Sequence, residues 1–195
     1  MLVPADVAPA KLRPLLRSEY DQLVDLGAFV DQKIELLRGQ LVEMSPQGEE
    51  HGDAVWWLGH HLSRMLDPRD WEVRTQLPFA ATSDSEPEPD VFITRGRRHR
   101  SRQGHPSVAE LVIEVARSSQ RLDRTVKRRL YAEANVPEYW IVDVHARVVE
   151  IFTQPADGDY LQVRQVASGF VEAMHVPGVR IAVDHIPGIA PTVEP

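Results

Sequence analysis

The sequence has 195 residues, is 43% hydrophobic and carries a formal net charge of −7, enough apolar material for one globular domain with its own core. It contains no cysteine, which excludes disulfides and thiolate-held metals, so any metal must rest on Asp, Glu, His or carbonyl ligands. The acidic balance argues against indiscriminate binding to phosphate backbones, and no segment has the apolar length of a signal peptide or membrane span, so a cytoplasmic protein with no membrane contact is expected.

Pro4, Pro9 and Pro14 make residues 1–17 an irregular arm. A short helix follows, with Ser18 as N-cap, Asp21 at the capping-box position and Gly27 as the stop. Residues 34–37 and 40–44 read as two strands joined by the turn Arg38-Gly39. Glu35 faces away from Ile34 and Leu36, either into a functional cleft or out to solvent. A helix is expected from about residue 51 to 66, because Val55, Leu58, Leu62 and Met65 recur at helical spacing, with Trp56 and Trp57 widening its buried face. His51, at its start, can orient a carboxylate or phosphate, or simply cap the helix. The adjacent His60 and His61 point about 100° apart around a helix and cannot share an ion.

Residues 71–80 alternate as a half-buried strand, with Gln76 on the face of Glu72 and Arg74. An acidic loop then delivers the chain to Pro89-Asp90-Val91-Phe92-Ile93, the first of two short apolar runs that read as buried strands. The second is Leu111-Val112-Ile113-Glu114-Val115. A buried carboxylate is costly unless paired, hydrogen-bonded or metal-bound. Two on neighbouring strands repel and raise one pKa, a conflict that a divalent cation removes. Alternatively, Asp90 caps a strand end and Glu114 pairs with an arginine; the two carboxylates alone leave both readings open. Between the strands, residues 95–106 form an arginine-rich loop expected to end near the carboxylates, where Arg97, Arg98 and Arg100 would hold a nucleic-acid backbone or form a solvated run.

Ser118 or Ser119 can cap a helix over about 120–134. Its wheel gives a core stripe of Leu122, Val126, Leu130 and Ala134 and a solvated side of Arg121, Arg124, Thr125 and Arg128. Asp123 and Lys127 fall together at the stripe's edge. A strand over 138–143, a hairpin of 147–153 with 160–166, and a proline-rich tail from Gly169 covering a sheet edge complete the chain.

Several of these pieces, in this order, resemble one family: Ile34-Glu35-Leu36-Leu37-Arg38-Gly39-Gln40-Leu41-Val42-Glu43-Met44-Ser45-Pro46, His51, Pro89-Asp90-Val91, Leu111-Val112-Ile113-Glu114-Val115, Asp123 with Lys127, Tyr131, and Val136-Pro137-Glu138-Tyr139-Trp140-Ile141-Val142-Asp143. They are similar to the Uma-two type bacterial endonucleases of the PD-(D/E)XK, or restriction-endonuclease-like, superfamily, across roughly residues 18–152. The resemblance implies an α/β, restriction-endonuclease-like core, with a central mixed β-sheet flanked by helices and preceded by an N-terminal helix and β-hairpin. It implies a Mg2+ (or Mn2+) dependent endonuclease acting on DNA, with Asp90 and Glu114 as metal ligands, Glu35 as the extra carboxylate and a lysine positioning the attacking water. The chain departs from the superfamily pattern at Ala116, where that lysine is expected two residues after the glutamate; the narrower family places Lys127 in its stead. Arg117-Ser118-Ser119 departs again, standing where the family usually has Ser-Pro. Small size, four tryptophans and two-site cleavage point to a homodimer. The rival function is a catalytically inactive nuclease-fold binding or assembly module, against which the retention of Asp90, Glu114 and Lys127 counts.

Overall fold

The computed structural model describes residues 13–44, 46–96, 104–116 and 120–189. Helix α1 (Arg17–Asp25) and the hairpin β1 (Ile34–Leu37) and β2 (Gln40–Glu43) precede helix α2 (Glu49–Met65). A six-stranded sheet follows from β3 (Trp71–Thr75), β4 (Val91–Arg95), β5 (Leu111–Ala116), β6 (Glu138–Asp143), β7 (Val148–Ala156) and β8 (Asp159–Val166), in that spatial order. All neighbouring pairs are antiparallel except β5 with β6. That parallel pair requires a crossover, which is made by α3 (Gln120–Leu122), a π-helical turn (Asp123–Lys127) and α4 (Arg128–Glu133). A small ladder of β9 (Phe170–Glu172) and β10 (Arg180–Ala182) ends the described fold. This is the expected mixed sheet flanked by helices, with the Asp90 and Glu114 strands side by side.

Strand β5 is buried along its whole length, and its pleat sends alternate residues to two apolar layers. Leu111, Ile113 and Val115 pack with Ala54, Val55, Leu58 and Leu62 of α2. Val112 and Ala116 pack on the other face with Phe79, Phe92, Tyr131 and Tyr139. Each such fully buried Leu or Ile contributes roughly 1.5–3 kcal/mol relative to exposure. Glu114 shares the parity of Val112 and Ala116, so it lies on the face covered by α4.

Several local expectations are corrected. Helix α1 starts one residue earlier than Ser18, with Leu16 in the cap position and its N–H donated to Glu19, 2.9 Å away, so Glu19 and not Asp21 reaches back over the first turn. Gly27 does end it, at φ +74. Trp56 is 67% exposed and stacks on His60 one turn later, while Trp57 packs against the core. Strand β3 stops at Thr75 because Gln76 turns into the left-handed region at φ +48. The β7–β8 hairpin is longer than expected, running to the turn residues Asp157 and Gly158, both at positive φ. The tail covers a sheet face in place of an edge: Val171, Val176, Val179, Ile181, Val183, Ile186 and Ile189 join the core layer of α2.

The arginine-rich loop joins the end of β4 to the start of β5. The antiparallel register pairs Val91 with Ile113 and Ile93 with Leu111, so the loop leaves β4 at the end opposite Asp90, and its described end passes Ala80, whose N–H donates to the Pro106 carbonyl, with His105 3.8 Å from Glu86. Arg97, Arg98 and Arg100, like the capping serines Ser118 and Ser119, lie outside the described residues. No helix among the described residues is long and apolar enough to cross a membrane.

Candidate active site

Four elements converge beside the end of β5. The β1–β2 turn has Arg38 at φ +54 and Gly39 at φ +71, the pair of left-handed residues that suits a two-residue hairpin. The hairpin it closes is tied to the chain preceding β4 through the Leu36 and Glu86 bridge. This turns Glu35 inward, where it is 1% exposed and its Oε1 accepts the Glu88 N–H at 2.8 Å. Asp90 immediately precedes β4. Its Oδ2 accepts the Val115 N–H at 2.9 Å, and its own N–H points at Glu114 Oε2 at 3.2 Å. The two carboxylates are thus locked to each other's strands.

Lys127 reaches the same place from the crossover helix. The wheel's edge position understates its burial: Asp123 and Lys127 are each only 2% exposed, while Leu122 and Val126 are half-buried. The cause is the π turn, whose wider i→i+5 winding shifts residues around the axis and which recurs at functional positions. Arg124, expected on the solvated side, instead pairs with Asp143 at 2.7 Å and Glu150 at 2.9 Å, and Arg128 pairs with Asp159 at 2.6 Å. The Lys127 ammonium stands 3.0 Å from Glu114 Oε1 and 3.2 Å from Glu35 Oε1. Tyr131, one turn further on, donates its hydroxyl to Glu114 Oε1 at 2.7 Å.

His51 and Gln76 complete the wall. His51 Nε2 lies 3.1 Å from Asp90 Oδ1, so the histidine at the start of α2 orients a carboxylate and does not cap its own helix. Gln76 Nε2 is 2.8 Å from Gln47 Oε1 and 3.5 Å from Asp90 Oδ1. These residues, with Lys33, Glu43, Glu88 and Asp123, line a cleft of about 220 Å³. Sequence reasoning assigned no role to Tyr131, Gln76, Gln47 or Glu88. A signal existed for Tyr131, which follows Lys127 by four residues and so shares its helix face; Gln47 and Gln76 are brought together by the sheet alone.

Four carboxylates, Glu35, Asp90, Glu114 and Asp123, surround one ammonium. Burial pushes the Glu114 carboxyl well above its usual range; Lys127 opposes this, and Asp90, Asp123 and Glu35 add to it. Burial also pushes Asp90 upward, but the hydrogen bond and charge of His51, the Val115 N–H and Lys127 outweigh it and hold Asp90 below the usual value. Burial alone would lower the Lys127 pKa, yet Glu114, Glu35, Asp123 and Asp90 together hold it above the ordinary lysine range. The two strand carboxylates are pulled apart in acidity, as like charges in one site must be.

The donor chemistry fits a hard divalent cation. The convergent side chains offer carboxylate oxygens, and Glu35 Oε2 is a buried oxygen with no hydrogen-bond partner. Among the described residues no three His, Asp or Glu side chains are grouped closely enough to cage a metal between them. Magnesium does not demand such a cage, since it retains several waters and rests on one or two carboxylates.

The mixed six-stranded sheet, with its carboxylate strands side by side and a helical crossover behind them, defines a restriction-endonuclease-like α/β protein. The chain matches the Uma2 family, described as "Putative restriction endonuclease", over residues 17–184, and it belongs to that family. A crystal structure of a "putative nuclease belonging to DUF820" from Anabaena variabilis superimposes with a TM-score of 0.70 at 15% identity, covering 91% of this chain and 99% of that one. No curated protein matches the chain.

Proposed function

We propose that the protein is a divalent-cation-dependent endonuclease that hydrolyses DNA phosphodiester bonds. The observation that carries this reading is the convergence, in one cleft, of Asp90, Glu114 and a buried, charged Lys127 3.0 Å from Glu114. Asp90 and Glu114 would hold Mg2+ or Mn2+, with Glu35 as the additional carboxylate. A bound cation supplies charge to polarise the scissile phosphate and to make a water acidic enough to attack at neutral pH.

The chain's own residues do the rest. Lys127 presents a compact ammonium to the attacking oxygen or to the charge that develops on the phosphoryl oxygens. Tyr131 holds Glu114 Oε1, so that carboxylate cannot rotate toward Lys127 alone. His51 and the Val115 N–H fix both oxygens of Asp90. Excess negative charge in the cleft opposes phosphate entry without a cation, which makes metal loading and substrate binding interdependent.

The test is incubation of supercoiled plasmid and of single-stranded DNA with the purified chain in Mg2+, Mn2+ or excess chelator. Cleavage in metal that is lost in chelator, and lost in Asp90→Asn and Glu114→Gln, is expected. Calorimetric metal binding without any cleavage would favour the binding module instead.

A further inference from the structure

We propose that Gln76 is a positioning residue that sets the orientation of the Asp90 carboxylate, an inference that rests on the reading of Asp90 as a metal ligand. Among the described residues seven non-glycine positions adopt positive φ, and of these Gln76 alone lines the cleft. Left-handed backbone is unfavourable for a glutamine, and glycine or asparagine would occupy it more easily. Strain retained beside a functional cleft points to a role for the side chain that the strain presents.

The backbone shows how the strain arises. The Gln76 N–H is shared between the carbonyl oxygens of Pro89, at 3.1 Å, and Asp90, at 3.2 Å. One residue on the β3 side therefore opposes two leading into β4, a bulge-like arrangement that bends the chain and re-aims the side chain. The amide is aimed at Asp90. A carboxylate oxygen only accepts hydrogen bonds, so the amide must present its nitrogen, and that nitrogen lies 3.5 Å from Asp90 Oδ1. Gln47 Oε1, at 2.8 Å, holds the same nitrogen and keeps the amide from turning away.

Asp90 is thereby referenced to three elements: to α2 by His51, to β5 by the Val115 N–H, and to the end of β3 by Gln76. Outer hydrogen bonds of this kind fix a ligating carboxylate and typically change metal affinity 10–100-fold when removed. At 3.5 Å the Gln76 contact belongs at the lower end of that range.

The experiment is Mn2+ titration by calorimetry on the full chain, with the metal-free thermal midpoint measured in parallel. Gln76→Gly suits the left-handed backbone and retains the N–H, so it deletes the side chain with its amide without disturbing the backbone. It should keep the wild-type midpoint while weakening Mn2+ binding about tenfold. Wild-type Mn2+ affinity in Gln76→Gly would overturn this inference alone. A lowered midpoint with unchanged affinity would make Gln76 a purely structural residue and overturn it too. A wild-type chain that binds no Mn2+ would overturn both this inference and the reading of the cleft on which it rests.

Discussion

Replacing Lys127 by methionine tests how the site balances its charge. Methionine fills nearly the same volume, so the change removes an ammonium rather than opening a cavity. Because Lys127 is 2% exposed and lies 3.0 Å and 3.2 Å from two carboxylates that are themselves buried, its loss leaves Glu114 and Glu35 without their cation. Breaking a buried pair in this way costs about 3–5 kcal/mol, or roughly 10 °C in the thermal midpoint of a chain this long. The deficit should depend on pH. Burial already holds Glu114 above the usual carboxyl range, and Lys127 is the influence that opposes this, so the variant's Glu114 shifts further up. A carboxyl with a raised folded-state pKa contributes stability that is complete below its unfolded value, about 4.3, and is lost as pH rises through the folded value. The methionine variant should therefore trail the wild type most at pH 8 and approach it toward pH 5. Urea unfolding in chelator at the two pH values measures this. A loss under about 1 kcal/mol at pH 8, the size of an exposed pair, or a gap equal at both pH values, would refute the argument.

Tyr131→Phe removes the only hydroxyl on Glu114 Oε1 among the described residues and should cost about 1–3 kcal/mol, read by urea unfolding, with slower cleavage in the plasmid assay. Glu86, 4% exposed, is pushed up to about 7 chiefly by burial; its contribution to stability is complete below about 4.5 and is lost as pH rises toward 7. Glu86→Gln should accordingly be more stable than wild type at pH 8 and equal to it near pH 4.5, and matching melting curves at pH 8 would contradict this. Gly39→Ala drives a Cβ into the Pro14 ring at φ +71 and should lower the thermal midpoint clearly. Trp56→Ser, on the exposed face of α2, should change stability by no more than about 0.5 kcal/mol.

The strands were legible because burial on both faces writes itself as continuous apolar runs, and the two carboxylates stood out against Val112, Ile113 and Val115 for that reason. Lys127 could be aimed only approximately. A wheel at 3.6 residues per turn puts Leu122 and Val126 in the core, and nothing in Asp123-Arg124-Thr125-Val126-Lys127 announces a π turn. A loop joining two strands meets only one end of each. Deciding which end requires the register, and the register is a property of the pairing. Gln47 and Gln76, 29 residues apart, meet for the same reason.

The π turn also bears on which insertions and deletions the chain can tolerate. A π turn is an α-helix that has accommodated one residue too many. Removing a single residue between Asp123 and Lys127 would let the crossover run as plain α-helix, with the two three residues apart and still neighbours on one face. The same deletion in a stretch that is already plain α-helix would instead swing the residues before the cut about 100° around the axis. A chain one residue shorter in this crossover can thus share every strand and still keep an aspartate beside the ammonium.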